Sequence, residues 1–207
     1  MPLPIVLGSA SPRRRELLGA LVPDFSVDRA DIVERTDGDP LDDAPRLARE
    51  KAEAVAGRHS DVIVIGADTI VHDGARAYGK PSDAEDAVAM LRALRGQAHL
   101  VVTGVAITSP AGTTSGVSVA EVQLARLSDE AIAAYVASGR PLDKAGAYAI
   151  QDEDVPTVAA HSGCYCAVMG LPLWRLQGLL AAVGVEALAP DAALARCASC
   201  PERSGRD

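Results

Sequence analysis

The chain has 207 residues, of which 48% are hydrophobic and 23% are charged. This composition is typical of a folded globular protein and excludes the weakly hydrophobic class of disordered chains. The formal net charge is −8, which argues against a general nucleic-acid-binding surface, because such surfaces neutralise phosphates with lysine and arginine. No apolar stretch approaches the ~20 residues of a membrane span. We therefore expect a cytoplasmic protein that binds neither membranes nor nucleic acid.

The N-terminal segment predicts a short strand, Ile5–Leu7, and then a helix. Ser11 is a suitable N-cap for this helix, and Pro12 is a suitable first helical residue. Three consecutive arginines, 13–15, are unusual at this place, because the N-terminus of a helix is already partly positive. They indicate either a phosphate-binding pocket lined by one or two of them, or a solvated basic patch.

The remaining elements are predicted in chain order from hydrophobic periodicity and from capping and turn residues. The first are a short strand at FSVD, an amphipathic helix over Leu41–Ala56 and a buried strand at DVIVIGADTIV. A helix at SDAEDAVAMLRALRG, with a capping box of Ser82 and Glu85, precedes an antiparallel hairpin of HLVVTGVAITS and TTSGVSVAEVQLARL. The last are a helix at SDEAIAAYVASG, a short strand at AGAYAI and a final helix at PLWRLQGLLAAV. Because the order mixes βα units with a long hairpin, we expect an α/β fold with a mixed, twisted sheet flanked by helices. Residues 1–185 are predicted to form one domain, and residues 186–207 a C-terminal tail that is partly disordered.

Asp68 stands out because it follows buried residues of the predicted strand DVIVIGADTIV. An unpaired carboxylate is costly inside a sheet, so we place Asp68 at the carboxyl end of that strand. Ligands of α/β sheets collect at such ends. An aspartate there suits a magnesium ligand or a base that activates water, and a turn cap is the alternative.

Three further polar side chains are candidates for a binding site. Lys51 lies on the helix before the central strand, and Lys80 lies in a tight Gly–Lys–Pro turn that fixes its position. Gln151 ends the predicted strand AGAYAI, and its amide can both donate and accept hydrogen bonds at a nucleobase edge. A surface glutamine is the alternative for this residue.

The four cysteines form two close pairs, Cys164 with Cys166 and Cys197 with Cys200. The second pair is a CxxC motif with no second CxxC and no βαβ context, so we expect free thiols in a reducing compartment rather than a zinc or redox site. The four histidines lack metal-ligand spacing. The motifs GxSxG, Walker A and GxGxxG are absent from the sequence, so the serine hydrolase, P-loop and dinucleotide-binding classes lose their main support.

A resemblance to the Maf family of nucleoside triphosphate pyrophosphatases is carried by seven motifs, which run in the family's order from Pro4 to Gly184. They are SASPRRRELL, KAEAVA, IGADTIV, GKP, HLVVTGVAI, DKAGAYAIQ and VMGLPL. The resemblance implies a mixed α/β fold related to the inosine triphosphate pyrophosphatases, with the site in a cleft between two lobes. It also implies a reaction, dependent on Mg²⁺ or Mn²⁺, that cuts a nucleoside triphosphate between its α and β phosphates. The form DKAGAYAIQ resembles the branch that prefers dTTP and UTP.

The same resemblance implies roles for nine residues. Asp68 matches the family's proposed general base. Arg13, Thr69 and Gln151 match positions tied to base selection. The polar residues that match the lining of the family's pocket are Ser9, Arg14, Glu34, Lys51 and Lys80. In this arrangement Arg13, Lys51 and Lys80 would hold the triphosphate, and Glu34 and Asp68 are the expected metal ligands.

Asp152 departs from the Maf pattern, in which glycine usually follows the IQ dipeptide. This departure bears on the preferred base more than on the reaction type. One alternative is therefore the same reaction on a methylated or purine nucleotide. A second alternative, from another class, is a nucleotide-binding protein that restrains septum formation. The resemblance also makes a homodimer plausible.

Overall fold

The computed structural model describes residues 2–36, 38–152 and 154–204. It confirms the expected α/β class, because a mixed seven-stranded sheet is flanked by helices. The strands are β1 (Ile5–Leu7), β2 (Ser26–Val27), β3 (Ile63–His72), β4 (Ala77–Tyr78), β5 (Ala98–Ser109), β6 (Gly112–Leu124) and β7 (Val158–Gly163). The helices are α1 (Pro12–Leu21), α2 (Pro40–Ala56), α3 (Ala84–Leu94), α4 (Asp129–Ala137), α5 (Tyr165–Met169), α6 (Leu173–Ala182) and α7 (Pro190–Ala193). No described helix is long and apolar enough to cross a bilayer.

The sheet has the strand order β2-β1-β3-β5-β6-β7, with β4 added to β3. The pairs β2–β1 and β1–β3 are parallel, whereas β3 pairs antiparallel with β5, and the predicted hairpin of β5 and β6 continues antiparallel into β7. The sheet is thus mixed, as the sequence predicts.

One edge of β3 is only partly covered. β5 pairs along the opposite edge from Val64 to His72, so β1 and β4 must share the remaining edge. β1 ends opposite Ile65, and the antiparallel β4 covers only Val71 and His72. Among the described residues no strand pairs with this edge between Ile65 and Val71. Residues 66–70 therefore border an opening in the sheet.

Successive side chains of β3 point to opposite faces of the sheet, which gives two helical layers. On one face Ile65 and Ala67 pack in a core with α1, α5 and α6, and Val71 packs further along with α3 and α4. On the other face Val64 and Ile70 pack against α2. Asp68 lies an even number of residues from Val64 and Ile70, so its side chain points to the same face and toward α2.

Helix α2 lies unusually close to the sheet. A Cβ added at Gly66 would lie 2.2 Å from the carbonyl oxygen of Ala48, and one added at Gly104 would lie 2.2 Å from that of Ala44. Only glycine fits at these two sheet positions while the helix keeps its place. The close approach brings Lys51 of α2 into contact with Asp68.

Two predicted features of the strands are wrong. Asp68 occupies the middle of β3 rather than its carboxyl end, and it is tolerated there because Lys51 pairs with it. The segment AGAYAI is a 3₁₀ turn followed by irregular chain rather than a strand. Its backbone explains the error, since Gly146 and Ala147 adopt left-handed φ angles of 69° and 59°, which a strand does not contain.

Other local differences concern helix ends and the C-terminal segment. The N-cap of α3 is Asp83, whose side chain accepts from the backbone N–H of Asp86, rather than the predicted Ser82. Helix α6 is not the last helix, because α7 and two 3₁₀ turns follow it. In this segment Cys197 is buried within the core that contains α1 and α6.

Candidate active site

A cleft of about 490 Å³ lies beside the uncovered edge of β3. It is bordered by the loop between β1 and α1, by the middle of β3, and by the turn after β4. All nine residues singled out in the sequence line it, namely Ser9, Arg13, Arg14, Glu34, Lys51, Asp68, Thr69, Lys80 and Gln151. The fold therefore brings together side chains that are far apart in the sequence, from Ser9 to Gln151.

Charged side chains are prominent in the lining of the cleft. Among the described residues, six of the lining side chains are cationic and four are acidic. The cationic residues are Arg13, Arg14, Arg29, Lys51, Lys80 and Lys144, and the acidic ones are Asp31, Glu34, Asp68 and Asp143. The local excess of positive charge contrasts with the net charge of −8 of the whole chain. A cleft with this balance suits a polyanionic ligand.

The centre of the cleft is an ion-pair group of one lysine and two carboxylates. The Lys51 ammonium contacts Asp68 Oδ1 and lies 2.8 Å from Glu34 Oε1. Lys51 and Asp68 are both buried, whereas Glu34 is exposed at the mouth. Burial by itself would raise the pKa of Glu34, but the hydrogen bond and charge of Lys51 outweigh this effect and lower it. Both carboxylates thus point to the same ammonium group in the cleft.

Arg14 is held in a network of hydrogen bonds within the protein. Its Nε donates to the carbonyl oxygen of Gly170 at 2.8 Å, and its Nη atoms donate to Ser9 Oγ at 3.2 Å and Thr69 Oγ1 at 3.1 Å. The Thr69 hydroxyl in turn lies 3.0 Å from that of the buried Thr103. Burial lowers the pKa of Arg14, although the nearby charge of Asp68 opposes this shift. Arg14 therefore ties α1 to β3 and to the end of α5.

The other two arginines of the cluster behave differently. Arg13 lies at the cleft and makes one long ion pair, 3.4 Å, with Asp143. Arg15 is exposed and does not line the cleft. Two of the three arginines therefore line a pocket, as the sequence indicated. Lys80 is exposed at the same cleft, and among the described residues it has no hydrogen-bond partner.

Sequence reasoning missed two prominent lining residues, Arg29 and Tyr148. Arg29 comes shortly after β2, on the strand's carboxyl side, which is a position where ligand-binding residues of parallel strands collect. That signal was available in the sequence. Tyr148 is buried, and its hydroxyl lies 2.7 Å from Nε2 of the buried His99. The sequence offered no signal for this pair, since 49 residues separate its members.

The sequence model of one protein family, described as Maf-like protein, matches residues 4–183. The chain belongs to the Maf family. A dTTP/UTP pyrophosphatase of Thermomicrobium roseum is 44% identical over 202 residues, which cover 95% of this chain and 93% of the relative. Proteins of the same name from Pelotomaculum thermopropionicum and Xanthomonas oryzae pv. oryzae are each 43% identical. Those matches cover 89% and 88% of this chain, and 98% and 100% of the relatives.

The structure explains how this Maf protein accommodates its acidic departure at Asp152. The Tyr135 hydroxyl donates to Asp152 Oδ2 at 2.6 Å, and Asp152 does not line the described part of the cleft. Gln151, its neighbour, does line the cleft. The extra carboxylate is therefore directed toward α4 and does not line the described part of the cleft.

The residues of this Maf protein fit a divalent cation at the cleft. Oxygen atoms of Asp68 and Glu34 lie around the same ammonium group, and carboxylate oxygens are ligands that Mg²⁺ prefers. Within the described ranges no group of three histidine, cysteine or acidic side chains is arranged to hold a metal. Two carboxylates completed by phosphate oxygens and water are nonetheless a usual way to hold Mg²⁺.

Proposed function

We propose that this Maf protein hydrolyses dTTP and UTP to the nucleoside monophosphate and pyrophosphate. The observation that carries the proposal is the position of Asp68, a buried carboxylate that opens onto a cleft lined by six cationic side chains. The names of its relatives, which align over nearly their whole length, support the same substrates.

The triphosphate is bound by the cationic side of the cleft. Arg13 and Lys80 line it with few competing contacts, so their charges are available to phosphate oxygens. Helix α1 begins beside them, and its first turn contains no acidic side chain. Its partly positive N-terminus therefore adds to the attraction for the anion.

Asp68 acts as the general base. It accepts a proton from a water molecule whose oxygen attacks the α phosphorus. The bond between that phosphorus and the bridging α–β oxygen breaks, and its electron pair leaves with pyrophosphate. Lys51 orients the Asp68 carboxylate through their contact, and the neighbouring cationic groups stabilise the charge that develops on the leaving group.

Mg²⁺ or Mn²⁺ would be held by Glu34 and by one carboxylate oxygen of Asp68, which leaves the other Asp68 oxygen to accept the proton. When bound, the cation neutralises charge on the phosphates and helps to orient them. Because Glu34 is exposed and lies at the mouth of the cleft, replacing it with glutamine should raise the metal concentration needed for half-maximal activity, by about 10-fold or more. The Glu34→Gln variant should keep the wild-type stability.

The test of this proposal is pyrophosphate release from a panel of nucleoside triphosphates in Mg²⁺ or Mn²⁺. Release from dTTP and UTP is expected, and Asp68→Asn should lower the rate ~10²–10⁴-fold. The matched control is Asp129→Asn, which removes an exposed carboxylate that pairs with Arg92 and Arg95 instead of facing the cleft. This control should keep the wild-type rate. If the wild-type protein releases no pyrophosphate from any member of the panel, the proposal is wrong.

A further inference from the structure

The fold brings all four cysteines of the chain into one cluster. Cys166 Sγ lies 3.6 Å from Cys197 Sγ. Cys164 belongs to the same buried core as Cys166 and Cys197, and Cys200 packs against that core. Cys164, Cys166 and Cys197 are buried, and Cys200 is partly buried. Two pairs that are separated in the sequence by α6 and α7 are thus adjacent in space, which the sequence did not indicate.

The spacing of these thiols is informative. A zinc site of four cysteines usually needs two close pairs, and the sequence shows only one CxxC motif. In the fold the CxC pair, Cys164 and Cys166, faces this CxxC motif and forms the second pair. The distance of 3.6 Å is well above the ~2.05 Å of a disulfide bond. It is close to the ~3.8 Å between sulfur atoms that surround a zinc ion at ~2.3 Å in a tetrahedron.

We propose that Cys164, Cys166, Cys197 and Cys200 bind one structural Zn²⁺ ion as four thiolates. Four cysteine ligands without an open position form the usual closed, non-catalytic zinc site. Cys166 and Cys197 are in contact through their sulfur atoms, but no three side chains in the described ranges are arranged around a common point that could hold a metal. Ion binding therefore requires the four side chains to turn toward one another, with release of the thiol protons to solvent.

A zinc ion here would fasten the C-terminal segment to the wall of the cleft. Cys166 lies on α5, and α5 ends at Gly170, whose carbonyl oxygen accepts from Arg14. On the other side, the Trp174 indole N–H donates to the Cys197 carbonyl oxygen at 3.0 Å. The ion would thus connect the segment after α6 to the helix that supports Arg14.

The first test is the zinc content of the full chain, purified with a reductant and without chelator. About one ion per chain is expected, as for a single four-thiolate site. The double variant Cys197→Ser/Cys200→Ser should lose it. Ser199→Ala, which alters the same loop without removing a thiol, and Asp68→Asn, which alters the cleft, should both retain it. Zinc that survives the double cysteine variant, or is absent from the reduced wild-type protein supplied with zinc, would overturn the proposal.

A second measurement on the wild-type protein guards against misfolding of the double variant. Trp174 is the single tryptophan of the chain, and it adjoins the cluster. Removing zinc with a strong chelator should change its fluorescence, and adding one equivalent of Zn²⁺ should restore it. Co²⁺ in place of zinc should give the absorption of tetrahedral thiolate coordination. If the protein binds no metal and its mass is lower by the hydrogen atoms lost in forming one or two disulfides, the thiols are oxidised and the zinc site is refuted.

Discussion

The Tyr135 hydroxyl donates to the Asp152 carboxylate at 2.6 Å, and this contact separates the roles of two neighbouring residues. Gln151 lines the cleft, whereas Asp152 is held against α4. Burial, followed by the hydrogen bond to Asp152, raises the pKa of Tyr135. Tyr135 therefore stays protonated at neutral pH and donates to Asp152.

Substitutions at these two positions should have different effects on substrate preference. Gln151→Ala removes an amide that can read the base, so it should change the ratio of kcat/KM for dTTP to that for other nucleotides by about 10-fold. Asp152→Asn should leave this ratio unchanged, because the side chain does not line the cleft. Steady-state kinetics on dTTP, UTP, CTP and ATP will check both. A large change in preference with Asp152→Asn would contradict the separation of roles.

Arg13 and Arg14 provide a second pair of neighbours with different predicted effects. Arg14→Ala removes three hydrogen bonds and leaves the Gly170 carbonyl without its donor, so it should lower the free energy of unfolding by about 1.5–3 kcal/mol. Among the described residues, Arg13→Ala breaks only a long ion pair with the exposed Asp143. It should leave stability unchanged within ~0.5 kcal/mol and raise KM for the nucleotide.

Urea unfolding and steady-state kinetics of both arginine variants will check this prediction. Arg14→Lys is an informative control, since it keeps a positive charge but cannot reproduce the three donors of the guanidinium group. It should restore less than half of the lost stability. Equal stability of the Arg13 and Arg14 variants would show that the network around Arg14 is not structural.

Much of this fold could be predicted because long elements carry their own signals. The hairpin of β5 and β6 and helices α1, α2 and α4 follow from periodicity, caps and turns. Strand β7 could not be found, because most of its residues are small and exposed, so it shows no apolar alternation. The left-handed backbone at Ala147 was equally invisible, since alanine rarely adopts it.

The sequence identified side chains that line the cleft, but it did not identify their contacts with one another. The motifs that carry the Maf resemblance contain eight of the nine side chains that meet in the cleft, and Glu34 was identified from the loop before α2. The pairing of Lys51 with Asp68, the network around Arg14 and the orientation of Asp152 depend on how α2, α1 and α4 dock. Such docking is a tertiary effect. Family resemblance identifies the residues, and only the fold shows which of them are already bound to one another.

The close contact between α2 and the sheet gives a third prediction. In Gly104→Ala the new methyl group would lie 2.2 Å from the Ala44 carbonyl oxygen, so α2 must shift away from β5. We expect a loss of about 1–3 kcal/mol or more in the free energy of unfolding, together with weaker activity because Lys51 moves with α2. Gly178→Ala is the matched control, because no atom of the described residues lies within 4 Å of its added Cβ. Within α6 this change should stabilise the protein by about 0.5–1 kcal/mol. Thermal or urea unfolding of the two variants should therefore give effects of opposite sign.

His99 gives the fourth prediction, which concerns pH. This histidine is buried against Tyr148. Burial lowers its pKa from 6.5 to about 4 and outweighs the opposing effects of the Gln97 backbone and of the Asp73 charge. Between these two values the unfolded chain binds a proton that the native protein does not bind. Unfolding therefore takes up a proton, and stability must fall as the pH is lowered from 6.5 toward 4.

The expected loss from this one residue is about 3 kcal/mol across that range. Carboxylates whose native pKa is lowered, such as Asp43, contribute a loss in the same direction at low pH, so the total alone does not isolate His99. Comparison with His99→Gln isolates the contribution of His99, because glutamine can still accept a hydrogen bond from Tyr148 but takes up no proton. Urea unfolding at several pH values should show a smaller loss of stability for this variant than for the wild type. His161→Gln, at an exposed position, should keep the wild-type pH dependence. If His99→Gln also kept the wild-type pH dependence of stability, His99 would have to be protonated in the native protein over this range. The contact between His99 and Tyr148 would then have to involve a protonated imidazole.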